Sequence, residues 1–448
     1  MARLTPPQLL IASFLCVILA GTAALSLPAA TSGPERMSLV DSLFTATSAT
    51  CVTGLVVNDT GTFFSPFGRF VIFLMFQAGG LGIMTFSTLF AVMLGRKIGF
   101  TETDVIRSTL DRHNILGLRK LIGYILGITF TAEILGAAAL FLRWRAITEW
   151  GVLKTIENSL FHSVSAFCNA GFALFASSFR AFQEDPYINL TMMALIFFGG
   201  IGFIVIMDIA GLLYKKGAAR RVSLQTKIAL TVSLVLVAFG ALMILFFERN
   251  NVLTGMSWPG RLWGSLFQSV TARTAGFNTL HIGSLSAPTL MVLVFLMFVG
   301  ASPGSTGGGI KTCTFAVIFS VVGSMLRNRR RVRMFGRSVP RQVVRESLVI
   351  FFLAFSWVFV FTIILAWLGG AGASGQGPLI GYLFEVTSAF GTVGLSTGMT
   401  GALGGASKFL VTLTMFAGRL GPLTLALAIA FKERKEAFVY PEENLMVG

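Results

Sequence analysis

Four short stretches of this chain read Leu-Phe, three variable residues, Ser or Thr, then Ala, at 43–49, 160–166, 266–272 and 383–389. Each is followed by a glycine: Gly54, Gly171, Gly276 and Gly394. The step from Phe to glycine is ten residues in three copies and nine in the third, and the glycines lie 117, 105 and 118 residues apart. The loops end Val52-Thr53-Gly54, Asn169-Ala170-Gly171, Thr274-Ala275-Gly276 and Thr392-Val393-Gly394, and none carries a carboxylate. A cation held there must be held by backbone carbonyls. Turning several carbonyls inward needs unusual dihedrals, which glycine supplies without a Cβ clash. Four similar loops are what one polypeptide needs to surround one ion. Glycines that merely permit tight helix packing are the bland alternative, and the chain has 49 of them. That alternative does not account for four copies at nearly one offset from Leu-Phe.

The composition says where such loops must sit. Over 448 residues the chain is 54% hydrophobic and 12% charged, about half the charge of a soluble domain. It reads as an all-α polytopic membrane protein. The formal charge of +16 invites a nucleic-acid partner. That reading is rejected, because the basic residues sit in loops between apolar spans, as membrane topology requires. Lipid is the partner instead. Four cysteines form no disulfide framework, and no Cys/His cluster has zinc spacing. With three histidines and no Ser/His/Asp arrangement or carboxylate pair, nothing points to an enzyme.

Each unit reads as an apolar span, a short amphiphilic helix with its loop, and a second span. The units occupy 1–95, 96–215, 216–326 and 327–448. Their spans and short helices fall near 8–27, 40–49 and 67–95; 118–142, 156–167 and 187–214; 226–247, 262–272 and 288–325; and 346–369, 380–390 and 405–431. A helix of ten residues is about 15 Å long, half a bilayer. It enters and leaves on one side, so two full crossings per unit return the chain to its starting side. The expected fold is therefore four parallel helix–pore loop–helix repeats with pseudo-four-fold symmetry about one central pore, and eight spanning helices. The first apolar run is taken as the outer helix of unit one rather than a signal peptide. Of 35 Lys and Arg, 22 lie in 96–120, 215–227, 327–345 and 432–435. Both termini are thus expected in the cytoplasm of a multi-pass inner (plasma) membrane protein, with the loops entering from outside.

The second span of unit three is interrupted. Between Gly300 and Gly309 stand five glycines and Pro303, which no helix interior tolerates. The segment resembles a phosphate-binding loop only superficially, because Ile310 separates Gly309 from Lys311 and apolar runs flank it. Pro303, Gly304, Ser305, Thr306, Gly307, Gly308 and Gly309 read either as a kink in the helix or as a flap under the loops that blocks the pore. Lys311 reads either as a latch or field-setting charge for that flap or as a helix-end lysine reaching water. Arg419 lies in an apolar span, where a central arginine costs about 2.5–3.5 kcal/mol unless it finds partners. It is expected to face the pore, bond flap carbonyls near Gly307 and raise the barrier to cations. Thr45, His162, Gln268 and Glu385 share one offset after Phe, and that variation suggests a supporting shell. Asp208 and Glu133 lie on apolar spans as candidates for pairing with cationic groups.

These loops, the run 300–312 and the ending 440–448 together resemble the Trk/Ktr/HKT superfamily of potassium transporters over essentially the whole chain. The run, the ending and the lack of extra helices before the first repeat resemble its Ktr branch. Thr392-Val393-Gly394 is similar to part of the potassium-channel filter signature. The resemblance implies potassium uptake, with potassium as substrate and sodium as a candidate activator or co-ion. It also implies a homodimer with one pore per subunit and a cytosolic nucleotide-binding RCK ring that gates it. Serine at the first glycine goes with sodium preference in the family, so Gly54 implies potassium. The cluster Arg327, Arg329, Arg330, Arg331 and Arg333 would then add a docking surface for the ring to its lipid contacts. A carrier for another cation or small solute, built on a broken helix, is the alternative.

Overall fold

The computed structural model describes residues 6–33, 36–93, 115–214, 222–329, 331–371, 379–422 and 424. The ending 440–448, the basic segment 432–435 and parts of 96–120 and 215–227 lie outside the described residues, as does Arg330. Four groups of helices follow one another. The first holds α1 (Pro6–Leu25), α2 (Leu39–Thr50) and α3 (Pro66–Met93). The second holds α4 (Ile115–Ile147), α5 (Val152–Phe167), α6 (Pro186–Ile201) and α7 (Phe203–Tyr214). The third holds α8 (Leu224–Glu248), α9 (Trp258–Thr271), α10 (Ala287–Phe298) and α11 (Thr312–Leu326), and the fourth α12 (Arg341–Ala371), α13 (Leu379–Gly391) and α14 (Gly405–Leu420).

The short helices α2, α5, α9 and α13 each carry one Leu-Phe motif, with its Phe buried. Local chemistry starts two of them. Ser38 caps α2 by accepting from Asp41 N at 3.1 Å, and Ser257 caps α9 by accepting from Gly260 N at 3.1 Å. Around them lie α1, α4, α8 and α12, whose apolar windows Gln8–Leu25, Ile122–Ile147, Leu224–Glu248 and Arg341–Gly369 are long and apolar enough to cross a membrane. No more than a third of each window is buried, so apolar faces such as Phe352, Phe359 and Ile363 point outward. Such area is untenable in water and suits lipid.

Packing runs in a circle. Each helix that follows a loop lies against the short helix of the next group: α3 on α5, α6 on α9, α10 on α13, and α14 back on α2. Polar contacts at the rim fix the register of three of these seams. They are Arg69 to Glu157 at 2.9 Å, Ser257 Oγ to Glu184 at 3.3 Å, and Lys408 to Asp41 at 2.6 Å.

Three differences from the sequence-based expectation emerge. The second span of unit two is not continuous, because α6 and α7 meet at 101° around Gly202, at φ 91°. The second span of unit four is likewise interrupted. It ends at Leu420, and Gly421 at φ 82° precedes Pro422, which disfavours helix in the residue before it. Lastly, the basic segment holds a small antiparallel hairpin, Arg333–Met334 with Arg337–Ser338, inside a chain expected to be all-α. Phe335 and Gly336 both have positive φ, as a two-residue hairpin turn requires.

Candidate functional site

The hydroxyl of each Leu-Phe motif ties its loop to its helix. Ser48, Ser165 and Thr271 donate to the carbonyl just past the glycine, at Leu55 (2.7 Å), Phe172 (2.8 Å) and Phe277 (2.6 Å). Ser388 accepts from Gly394 N at 3.1 Å, as Ser48 does from Gly54 N at 3.1 Å. The nine-residue offset is absorbed at one turn. In three loops the residue before the glycine donates its N–H to the motif hydroxyl residue five positions back: Thr53 to Ser48, Ala170 to Ser165 and Val393 to Ser388. In the third, Ala275 donates four positions back to Thr271 at 2.9 Å. Thr274-Ala275-Gly276 therefore occupies the same register as its three counterparts.

Two residues before each glycine the backbone is left-handed: Val52 at φ 55°, Asn169 at 58°, Thr274 at 78° and Thr392 at 48°. The glycines follow at 87°, 72°, 81° and 93°, and the residue between has negative φ in every loop. This alternation turns successive carbonyls toward one side of the chain. Val52, Thr274 and Thr392 are β-branched, so each conformation costs about 1–3 kcal/mol that the surrounding packing must hold.

The glycines close into a ring. A Cβ on Gly54 would stand 2.6 Å from Ala170 O, on Gly171 3.0 Å from Ala275 O, and on Gly276 2.5 Å from Val393 O. On Gly394 it would strike Thr53 O, which completes the circle. On the far side of the ring lies a cavity of about 270 Å³ lined by all four glycines.

The residue after each motif Phe backs its loop. His162 is fully buried, shares Nδ1 with Asn158 O at 2.7 Å and accepts from Leu174 N at 3.1 Å. Glu385 is fully buried and accepts from Ser396 Oγ (2.5 Å), Thr397 N (3.0 Å) and Thr400 Oγ1 (2.8 Å). Leu174 and Thr397 stand at the same place, three residues past their glycines. Thr45 and Gln268 are buried with no polar partner for their side chains among the described residues.

On the near side of the ring, 302–309 folds as a docked flap. Gly308 N donates to Thr392 Oγ1 at 3.1 Å, and Gly307 packs against the Thr274 side chain. The break in the second group supplies its other seat. Ser302 N and Thr306 N donate to Gly200 O (3.0 Å) and Gly199 O (3.2 Å), and Phe203 N donates to Gly304 O at 3.1 Å. The bend at Gly202 thus releases carbonyls and an amide that the flap satisfies, as buried backbone demands. A Cβ on Gly202 would lie 2.6 Å from Pro303 O. Thr306 Oγ1 donates to Phe167 O (3.2 Å) or Gly199 O (3.1 Å), and Ser305 Oγ donates to Ser302 O at 2.6 Å. Gly304 and Gly309 turn with positive φ.

Two cations hold this flap. Lys311 Nζ donates to Gly307 O at 2.6 Å. Arg419, 3% exposed, donates Nη1 to Thr306 O and Nη2 to Gly79 O at 2.7 Å, bridging the flap to α3. Glu133 and Asp208 are bound instead by neutral donors. Glu133 accepts from Gln77 Nε2 at 3.2 Å beside Cys168, and Asp208 from Thr226 Oγ1 at 2.6 Å and Ser223 N at 3.2 Å. No ion pair forms at either among the described residues; Lys215, Lys216, Arg220 and Arg221, near Asp208 in sequence, lie outside them.

The family described as TrkH, cation transport protein, matches residues 5–439. The chain belongs to this family. It is 38% identical to the Ktr system potassium uptake protein B of Bacillus subtilis (strain 168), over 100% of this chain and 97% of that one. It is 37% identical to the potassium/sodium uptake protein NtpJ of Enterococcus hirae, over 100% and 98%. The crystal structure of the potassium transporter TrkH from Vibrio parahaemolyticus shares its fold, with TM-score 0.71 and 20% identity over 94% of this chain and 85% of that one. The TrkH family comprises membrane cation transporters, not enzymes.

One feature was not anticipated from the sequence although a signal was present. Gly79-Gly80-Leu81-Gly82, Gly199-Gly200-Ile201-Gly202 and Gly418-Arg419-Leu420-Gly421 repeat Gly-x-Leu/Ile-Gly. The first glycine of each run abuts a carbonyl at the end of its short helix: Thr50, Phe167 and Phe390. Arg419 stands where the other two runs have Gly80 and Gly200, against which Cys168 Sγ and Asn169 Nδ2 pack instead.

Proposed function

We propose that this chain takes up potassium across the plasma membrane through a filter of backbone carbonyls contributed by its four glycine loops. The supporting observation is the closed ring, in which each glycine lies against the carbonyl that precedes the next glycine. Val52, Thr53, Gly54 and their counterparts at 169–171, 274–276 and 392–394 would form the filter. The alternating backbone would aim their oxygens at the ion, and the carbonyl ends of α2, α5, α9 and α13 add favourable partial charge. The chain is read as four parallel repeats at 1–95, 96–215, 216–326 and 327–448 with eight spans. Its termini are cytoplasmic and the cavity above the ring faces outside. The names of its B. subtilis and E. hirae relatives support potassium as substrate, with sodium as activator or co-ion.

The flap 302–309 is read as the gate. It lies under the ring and is latched by Lys311 and Arg419, two positive charges that also oppose cation passage. A homodimer with a cytosolic nucleotide-binding RCK ring acting on this gate belongs to the same reading. Carriage of another solute draws on a different observation, the interrupted helices at Gly202, 299–311 and Gly421, since carriers commonly bind at such breaks. Rubidium tracer uptake into liposomes separates the two. Competition by potassium, with little by sodium, lithium or uncharged solutes, supports the filter, and displacement of rubidium by a small solute supports the carrier.

A further inference from the structure

The cavity beyond the glycine ring is not neutral ground. Three of its lining residues carry charge or can carry it: Asp59, Arg180 and His281, one from the segment after each of the first three loops. Asp59 is half-buried and rigidly held. Its Oδ1 accepts from Gly61 N (3.0 Å), Thr62 N (2.8 Å) and Thr62 Oγ1 (2.8 Å). Its Oδ2 has no protein donor among the described residues. Arg180 starts a short 3-10 turn, is exposed, and makes no ion pair among the described residues. His281 is tied through Nδ1 to Ser284 Oγ at 2.7 Å. The cavity lining therefore holds one fixed carboxylate and one exposed guanidinium, and neither neutralises the other by contact.

We propose that Asp59 and Arg180 set the supply of cations to the ring, Asp59 by concentrating them in the cavity and Arg180 by depleting them. The proposal rests on the conduction reading above. A cavity of this volume is about 8 Å across, and a unit charge about 4–8 Å away through water changes the local cation concentration about two- to fivefold. Opposite signs in one cavity make opposite forecasts, which a merely structural role for either side chain would not.

The test is initial rubidium uptake by the purified full chain in liposomes, at sub-saturating rubidium and constant pH, for wild type, Asp59→Asn and Arg180→Gln. Asparagine keeps the Oδ1 acceptor that closes the turn and removes only the charge. At about 10 mM ionic strength, where screening extends over about 30 Å, Asp59→Asn should slow uptake about two- to fivefold and Arg180→Gln should speed it by a similar factor. With about 1 M of an impermeant salt, which shortens that range to about 3 Å, both differences should collapse. Selectivity among cations should not move in either variant. Equal rates at low ionic strength, shifts of the same sign, or a shift that survives high salt would overturn the proposal. If wild type discriminates potassium and rubidium from sodium while these variants behave as wild type, only the supply role falls. If wild type shows no cation preference, the conduction reading falls first.

Discussion

Replacing Arg419 by alanine should raise cation flux, and the structure gives the size. Its guanidinium bonds Thr306 O on the flap and Gly79 O on α3, the latter at 2.7 Å. A cation crossing the other side of the Thr306 carbonyl would pass roughly 5–6 Å from that charge. The repulsion is then about 3 kcal/mol at an effective dielectric of 20 and about 0.7 kcal/mol if the site is as wet as bulk water. Removing it should speed passage between about threefold and about a hundredfold. The latch adds to this, since each hydrogen bond from a charged donor contributes about 1.5–3 kcal/mol to the docked flap. Lysine separates the two effects: it keeps the charge but lacks the planar fork that reaches two carbonyls at once. The assay is tracer uptake into liposomes without any regulatory partner, on variants with the wild-type elution profile. The expected order of flux is Arg419→Ala above Arg419→Lys above wild type. Unchanged or lower flux in a well-folded Arg419→Ala variant would refute both barrier and latch.

Thr306→Ala removes a hydroxyl that holds the flap to α5 or α6 and should raise basal uptake about fivefold, from a hydrogen bond contributing about 1 kcal/mol; unaltered uptake would place the resistance elsewhere. Glu385→Ala strands the donors of Ser396, Thr397 and Thr400, so it should destabilise the detergent-solubilised protein by about 2–5 kcal/mol and broaden cation selectivity. A thermal-shift curve and the tracer competition assay check the two parts. Gly79→Ala should abolish folded protein, because its Cβ would fall on Thr50 O, whereas Gly323→Ala, whose Cβ would meet nothing within 4 Å among the described residues, should be recovered at near wild-type yield.

The Leu-Phe repeats were legible because one physical unit recurs four times, and recurrence is visible without any knowledge of packing. The flap was legible because glycines and Pro303 rule out a helix wherever they sit. The left-handed backbone at Val52, Thr274 and Thr392 was not, since β-branched residues disfavour that conformation and only the closed ring enforces it. Nor was the bend at Gly202. The stretch 187–214 reads as one apolar span, and the bend depends on hydrogen bonds to residues about a hundred positions away. The nine-residue offset of the third loop does not by itself align Arg273 and Thr274 with the other loops; the bond from Ala275 N to Thr271 O does. For Asp208 and Glu133 the sequence offered pairing with cationic groups only as a candidate and gave them no role. Among the described residues, hydroxyl, amide and thiol donors meet both carboxylates.

The variant that touches the ring of carbonyls most directly is Gly54→Ser. A Cβ at Gly54 would lie 2.6 Å from Ala170 O, so serine must displace an oxygen of the ring while leaving the flap and Arg419 untouched. Flux of potassium, rubidium, sodium and lithium should be measured for wild type and this variant in the same liposomes. With a carbonyl filter, potassium and rubidium flux should stand far above sodium and lithium in wild type, with sodium admitted more readily by the variant. Flux indifferent both to cation type and to the substitution at Gly54 would contradict that filter.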